Sequence, residues 1–367
     1  MEALILSCGT GGGHNTAAQA VVEELTRRGH HATLLDPYTL VGDHVARRVG
    51  NAYIRLVQKS PRAFGVLYQL GNAYRRLPWR SPVFWVNRLL VDAMTAYLRE
   101  HPVDILVASH LFPMEILAHM EGLPPTVFIA TDYTCIPFTE ETRCDRYCIP
   151  SPDLAAEYVG WGIDREKLRP YGIPVRAAFR ADLTRAEARQ QLGLAANRTY
   201  LLLAGGSIGA GSIRHAITAL EPYLRDHPDT TLLVLCGSNE KLYDHLTARY
   251  GGHGQVQLLQ STPHMAAYLR ACDVFITKPG GLSSTEGAAS GIPMVLISPI
   301  PGCESRNAAF FAQRGMAIPV RRLRRDLLPA IASALAPATA AKMQENQARY
   351  VDKHGVEHLC GDLETMI

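Results

Sequence analysis

The sequence predicts an α/β fold of two Rossmann-like domains, each built on a parallel sheet, and three observations carry that prediction. Strand-length apolar runs alternate with helical stretches along the whole chain. The runs are continuous rather than alternating, as expected where a parallel sheet is covered on both faces. A glycine-rich turn follows the first strand of each half, Gly9-Thr10-Gly11-Gly12-Gly13-His14 and Gly205-Gly206-Ser207-Ile208-Gly209-Ala210-Gly211. The two phosphate-friendly edges are expected to face one cleft. A length of 367 residues exceeds one ordinary domain, and 47% apolar content is enough for two cores.

In the first half the runs place strands at Ala3 to Ser7, Ala32 to Leu35, Asp104 to Ala108, Thr126 to Ala130 and Arg146 to Ile149. The second half gives Tyr200 to Ala204, Thr231 to Leu235, Gln255 to Leu259, Asp273 to Thr277, Pro293 to Ile297 and Met316 to Pro319. Tyr171 to Arg176 has turn formers and no helical period, which sets the domains at 1–172 and 173–367. The tail from Ala338 to Leu363 carries Met343, Tyr350, Val351 and Leu359 on a helical stripe and is free to cap either domain, the final helix returning to the first.

Composition excludes several classes. A formal net charge of +3, with no basic and aromatic RNA-binding motif, gives no case for nucleic acid. The opening Met1-Glu2-Ala3-Leu4 runs straight into a strand without a basic flank, which predicts a cytoplasmic protein. No apolar run approaches the roughly 20 residues of a spanning helix. The eight cysteines hold one close pair, Cys144 and Cys148, and no partner set for zinc, so reduced thiols are expected.

The second half carries the most chemistry. The strand ending at Thr277 runs through Lys278-Pro279-Gly280-Gly281 into Ser283-Ser284-Thr285-Glu286, which reads as a helix start with capping hydroxyls and an early acid. Free backbone N–H groups and the positive end of the helix dipole suit a diphosphate there. Glu286, one turn in, is placed to accept from a polyol such as ribose. The first turn matches neither the dinucleotide fingerprint, because His14 stands where the third glycine belongs, nor a P-loop.

The segment from His44 to Val91 has nine basic residues (Arg47, Arg48, Arg55, Lys59, Arg62, Arg75, Arg76, Arg80 and Arg88) and no acid. Tyr53, Phe64, Tyr68, Tyr74, Trp79, Phe84 and Trp85 are interleaved with them. A solvated face usually mixes both signs, whereas cations with aromatic anchors suit an anionic bilayer surface.

Gly9-Thr10-Gly11-Gly12-Gly13-His14-Asn15, Ala130-Thr131-Asp132-Tyr133, Gly172-Ile173-Pro174-Val175, Thr277-Lys278-Pro279-Gly280-Gly281 and Pro301-Gly302-Cys303-Glu304-Ser305-Arg306-Asn307, in this order, resemble the monogalactosyldiacylglycerol synthase and processive diacylglycerol glucosyltransferase family. That family is related to the peptidoglycan N-acetylglucosaminyltransferase. The resemblance implies the two-domain GT-B fold, a UDP-hexose donor held by the second domain, diacylglycerol as acceptor, inversion at the anomeric carbon and no obligate cofactor or metal. It also implies work at the inner face of the cell membrane as a peripheral protein. Carried over by position, Gly280, Gly281, Ser283 and Ser284 hold the diphosphate, Glu286 the ribose, and Glu304 and Asn307 the sugar hydroxyls. Cys303 stands where the family commonly has Gln. Gly205, Gly206, Ser207 and Gly209 lie beneath the diphosphate, and the loop from Ser261 to Met265 meets the uracil.

Glycosyl transfer needs a base near neutral pKa for the acceptor hydroxyl, which His14 supplies with little tuning. Asp132 either orients His14 or is the base itself, and His110 and Glu115 line the same expected edge. Three other readings share the architecture: a UDP-N-acetylglucosamine transferase acting on a polyprenyl-diphosphate lipid, a non-hydrolysing UDP-sugar 2-epimerase, and a non-catalytic UDP-sugar sensor or membrane adaptor. The basic aromatic insertion argues against the epimerase, and an intact His14 and Asp132 against the sensor.

Overall fold

A computed structural model describes residues 1–367 apart from 10, 11, 208 and 210, with the helical backbone alone for 52–54 and 56–59. Thr10, Gly11, Ile208 and Ala210 of the two glycine turns, and the side chains of Tyr53 and Lys59, therefore lie outside the described residues. The chain forms two compact units. One comprises Met1–Ala177, Ile300–Cys303 and Asp352–Ile367, the other Ala178–Pro299 and Glu304–Val351.

In the first unit β1 (Glu2–Leu6), β2 (His31–Leu35), β3 (Ile105–Ala108), β4 (Thr126–Ile129), β5 (Arg146–Cys148) and β6 (Leu168–Arg169) form a parallel sheet in the order β2-β1-β3-β4-β5-β6. Ala3, Ile5, Val107 and Ile129 pack with Ala18, Val21 and Leu25 of the helix Gly12–Arg27 and with Val356, Leu359, Cys360 and Leu363 of the helix Gly355–Glu364. Leu4, Leu6, Leu106 and Ala108 alternate with them along the strands and are buried too, which is why the runs read as continuous. β6 has only two residues and no apolar run, so it left no signal in the sequence.

The second unit repeats the plan with β7 (Thr199–Ala204), β8 (Thr230–Leu235), β9 (Val256–Leu259), β10 (Val274–Thr277), β11 (Met294–Leu296) and β12 (Ile318–Pro319), ordered β12-β11-β10-β7-β8-β9. The tail stripe proves to be two helices. Pro337–Tyr350 packs on the second unit, where fully buried Gln347 donates to Ile292 O at 2.9 Å and Met316 O at 3.0 Å; Gly355–Glu364 packs on the first. The break at 351–354 separates residues that the 3.6-residue period had grouped on one face.

The acid-free segment forms the helices Asp43–Lys59, Pro61–Tyr74 and Pro82–Asn87. Ser81 caps the last, its Oγ accepting from Phe84 N at 3.0 Å, with proline at the first helical position as expected of a helix start.

Candidate functional site

Each sheet reverses its winding at one point, and in such sheets ligands bind at the carboxyl ends of the strands flanking the reversal. In the second unit the reversal lies between β7 and β10. The turn after β7 places Gly206 and Gly209 at φ +73° and +56°, in the left-handed region that favours glycine. A Cβ on Gly209 would lie 2.0 Å from Cys236 O, so the two turns can approach only because it is glycine. Ser238 N donates to Ser207 O at 2.9 Å and ties them together.

The turn after β10 leads into the helix Gly281–Ala289, whose N-cap is Gly280 with no side-chain cap. The expectation of capping hydroxyls is thereby corrected. The helix starts two residues earlier than Ser283, the backbone amides of its first turn are left for a ligand, and Ser284 is fully buried with its Oγ unpartnered among the described residues. Glu286 is buried one turn further in. Glu304 and Asn307, on the helix Cys303–Gln313, brace this turn. Glu304 accepts from Lys278 Nζ at 2.6 Å, and completely buried Asn307 donates from Nδ2 to Pro279 O at 3.0 Å. Met265 opens the helix Met265–Ala271 at the end of the loop following β9, at the same edge of the sheet.

Lys278 is the residue the sequence reading missed. A Cβ on Gly206 would lie 3.1 Å from Lys278 Cε, so its side chain runs between the two phosphate-friendly turns and ends on Glu304. Its position directly before Pro-Gly-Gly was the available signal. Among the described residues no group of three His, Cys, Asp or Glu is placed to hold a metal ion.

In the first unit the reversal lies between β1 and β3, and His14 stands there in the first turn of its helix. Its Nδ1 is 2.8 Å from Ser109 O and 2.9 Å from Thr131 Oγ1, just beyond β3 and β4. A carbonyl only accepts, so Nδ1 carries the proton and Nε2 keeps its lone pair, with no partner among the described residues. Burial holds the ring below its ordinary pKa, partly offset by the bond to Ser109. At neutral pH His14 is an uncharged base with a fixed tautomer. Ser7 Oγ donates to Asn15 Oδ1 at 2.5 Å and accepts from Ser109 Oγ at 3.2 Å, bracing the same turn.

Asp132 follows Thr131 at this edge and is half-buried. His110 packs edge-on against His14, ring centroids 4.5 Å apart, while its Nδ1 accepts from Phe112 N at 3.2 Å; burial drives its pKa well down. Glu115 does not line the edge. It is wholly buried on the helix Leu111–Leu117, where Oε2 accepts from Asn87 Nδ2 at 2.5 Å and Asn87 Oδ1 accepts from Tyr38 OH at 2.6 Å. Desolvation pushes its carboxyl up to about 8. One turn of helix rotated it from the sheet edge into the core.

The basic segment divides in two. Arg62, Arg76 and Arg88 are exposed, as are Trp79 (66%), Trp85 (53%) and Leu89 (79%). Arg75 is not part of that surface: its side chain is fully buried, Nε donates to Glu140 at 3.0 Å, Nη1 to Cys135 O at 3.1 Å, and the guanidinium stacks 3.7 Å from the Trp161 ring centroid. Its counter-ion comes from far along the chain, where local composition could not reveal it. Arg80 is partly covered, donating to Glu141 O at 3.3 Å.

Two parallel sheets, each with a site at its reversal, one offering helix-terminal amides and a lysine and the other a neutral histidine, define a GT-B glycosyltransferase. The monogalactosyldiacylglycerol synthase family model matches residues 14–175, and the glycosyltransferase family 28 C-terminal domain matches residues 200–359. The chain thus matches, in its two halves, a monogalactosyldiacylglycerol synthase domain and a family 28 glycosyltransferase C-terminal domain, the make-up of a UDP-sugar glycosyltransferase acting on lipid. It is 25% identical to a processive diacylglycerol beta-glucosyltransferase of Bacillus pumilus over 98% of this chain and 94% of that one. With the chloroplastic monogalactosyldiacylglycerol synthase 2 of Arabidopsis thaliana it shares 27% identity over 86% and 70% of the two chains. The crystal structure of Acinetobacter baumannii MurG superposes with a TM-score of 0.63 over 99% of both chains at 18% identity, a likeness of fold.

Proposed function

We propose that this glycosyltransferase moves a hexose, glucose or galactose, from a UDP-sugar to diacylglycerol with inversion, at an anionic membrane surface and without an obligate metal ion. The observation that carries the reading is His14, held neutral at the first unit's reversal with Nε2 unpartnered among the described residues, in a chain whose second unit offers the first-turn amides of the helix Gly281–Ala289. The family supports the acceptor, because relatives matched across most of their length are diacylglycerol glycosyltransferases by name.

In the reaction the acceptor hydroxyl oxygen attacks the anomeric carbon as the bond from that carbon to the diphosphate oxygen breaks. The hydroxyl proton passes to His14 Nε2, and UDP leaves with the bonding pair. Charge building on the diphosphate meets the amides of Gly281 and Leu282, the dipole of their helix and the Lys278 ammonium, which lies between the two turns. Glu286 accepts from the ribose and Glu304, once Lys278 turns to the diphosphate, from the sugar. Asn307 keeps Pro279 in place. Ser109 and Thr131 hold the imidazole, and Asp132 lies at the same strand edge to stabilise the imidazolium. These are ordinary general-base and electrostatic contributions, the first worth about 10²–10⁴ in rate.

The exposed arginines and tryptophans of the acid-free segment support docking at the cytoplasmic face, each surface cation adding roughly 1 kcal/mol near anionic lipid. No helix among the described residues is long and apolar enough to cross a membrane. The test offers purified protein diacylglycerol and a polyprenyl-diphosphate lipid in parallel, each with UDP-glucose, UDP-galactose or UDP-N-acetylglucosamine. Hexose on diacylglycerol supports the proposal; N-acetylglucosamine on the diphosphate lipid replaces it with the peptidoglycan-type reaction.

A further inference from the structure

Residues 130–138 run from the end of β4 to the short 3-10 turn Thr139–Glu141 with no helix or strand of their own. Thr131, near their start, reaches His14 Nδ1 at 2.9 Å, and Asp132 follows it. With no ladder to fix this stretch, its placement depends on the groups that take up its backbone and side-chain polar atoms. Thr134 is held by its neighbours on the helix Ala155–Gly160: Glu157 Oε1 accepts from Thr134 Oγ1 at 2.7 Å, and Tyr158 OH donates to Thr134 O at 3.3 Å. Cys135 is held by Arg75. The Nη1 of Arg75 donates to Cys135 O at 3.1 Å while Nε and Nη2 engage both oxygens of Glu140, so one guanidinium closes the loop from 135 to 140. One turn back on the helix Pro61–Tyr74, a Cβ on Gly71 would lie 3.4 Å from Pro137 Cβ, which keeps helix and loop close. Phe138 sits at φ +74°, a backbone that bulky residues rarely adopt, and Tyr74 meets its ring edge-on with centroids 6.2 Å apart.

Stability alone does not call for a cation here. A buried ion pair is a weak stabiliser, and apolar side chains of the same volume often hold a helix in place as well or better. What the guanidinium adds is direction. Its planar fork fixes one backbone carbonyl and one carboxylate at once, with its face 3.7 Å from the Trp161 ring centroid, and neither a lysine nor an apolar side chain has that geometry. The carbonyl so fixed belongs to the same irregular stretch as Thr131 and Asp132.

We propose that Arg75 is a positioning residue for the transfer: through Cys135 and Glu140 it holds the stretch that presents Thr131 and Asp132 at the edge where His14 stands. Because Arg76 and Trp79 follow it on the exposed surface, the same side chain ties that surface to the base. The effect on rate rests on the reading of His14 as the base, whereas the effect on the imidazole does not.

The test compares wild type with Arg75→Met combined with Glu140→Gln, which removes both charges and leaves the net charge unchanged. One arm follows the His14 Nδ1 proton by NMR in protein labelled at histidine, the signal identified by its loss in His14→Ala. Its exchange with water, measured against the buried backbone amide of Val107 to correct for global opening, should be faster in the variant. Equal relative exchange in a folded variant overturns the proposal, because a merely structural arginine would leave this proton as it was. In the second arm, lipid turnover should fall about tenfold or more, as a displacement of about 1 Å at a reacting group does, while UDP affinity stays at the wild-type value. Unchanged turnover, or a parallel loss of UDP affinity, overturns the role in transfer. Should the pair of substitutions not fold, Arg75→Lys is read in the same way, since its ammonium pairs with Glu140 without the fork or the planar face. Faster exchange in a protein that glycosylates no lipid would keep Arg75 as the residue that places His14 and sink the proposed function.

Discussion

His14 Nδ1 lies 2.8 Å from the carbonyl oxygen of Ser109, and that one contact decides which nitrogen of the ring is a base. Replacing His14 by Ala should lower the turnover for lipid by about 10²–10⁴ while UDP affinity stays unchanged, as calorimetry beside a rate assay would show. The pH profile follows from the same burial. The imidazole must be neutral to accept, and its pKa lies below the ordinary value of about 6.5. The acid limb of kcat/KM should therefore fall below that pH, and a limb above it would contradict His14 as the base; an unaffected rate in His14→Ala would pass the role to Asp132.

Lys278 should matter to the donor more than its absence from any phosphate motif implies. Removing it alone takes the lysine counter-charge from buried Glu304, which destabilises in its own right. The informative variant is Lys278→Met with Glu304→Gln, which removes both charges. It should fold and lose about 1.5–3 kcal/mol of UDP binding, the scale of a hydrogen bond to a charged group, measured by calorimetry in EDTA. Wild-type affinity in the double variant would leave the amides of Gly281 and Leu282 as sole holders of the diphosphate.

Glu115 predicts a stability slope. Its folded carboxyl is pushed up to about 8 from 4.5, so between those values the unfolded chain has lost the proton and the folded chain keeps it. Stability contributed by the neutral acid is complete below about pH 4.5 and declines as pH rises towards 8, where the difference is spent. Glu115→Gln keeps an acceptor for Asn87 and removes the titration. Thermal melts of the variant should lose less between pH 5 and pH 8 than those of wild type; parallel curves would mean the carboxyl is ionised in the folded protein.

Docking should depend on the exposed cations alone. Arg62, Arg76 and Arg88 replaced together by Glu should abolish sedimentation with vesicles rich in anionic lipid while UDP binding persists, and added salt should weaken the wild-type interaction, since charges are screened over about 8 Å at physiological ionic strength. Arg75→Glu, by contrast, should unfold its surroundings, because it would set a second acid against Glu140 in a buried site. A triple variant that still sediments fully would make these arginines a solvated face.

The strands other than β6, and both turns, were legible because parallel strands covered on two faces read as continuous apolar runs, as in Leu201, Leu202 and Leu203. His14 was legible because glycines precede it at the end of a strand. What escaped depends on partners distant in sequence. Arg75 looked free until Glu140 and Trp161 closed over it, and Lys278 looked like turn filler until Gly206 and Glu304 came to either side of it. Glu115 was misplaced for a local reason, since the sheet edge extends only one turn into a helix. The single tail stripe failed similarly: periodicity sees which residues share a face, and it does not see the chain break at 351–354 and join a different unit.

Metal-free, inverting transfer of a hexose to diacylglycerol leaves its mark in the configuration of the product. Purified protein, diacylglycerol vesicles and an α-linked UDP-hexose would be incubated in EDTA, the lipids extracted and the anomeric proton of the new glycolipid recorded by NMR. A β-linked hexosyl-diacylglycerol should form in full without divalent metal. An α-linked product, labelling that appears only when metal is restored, or no glycolipid at all would contradict it.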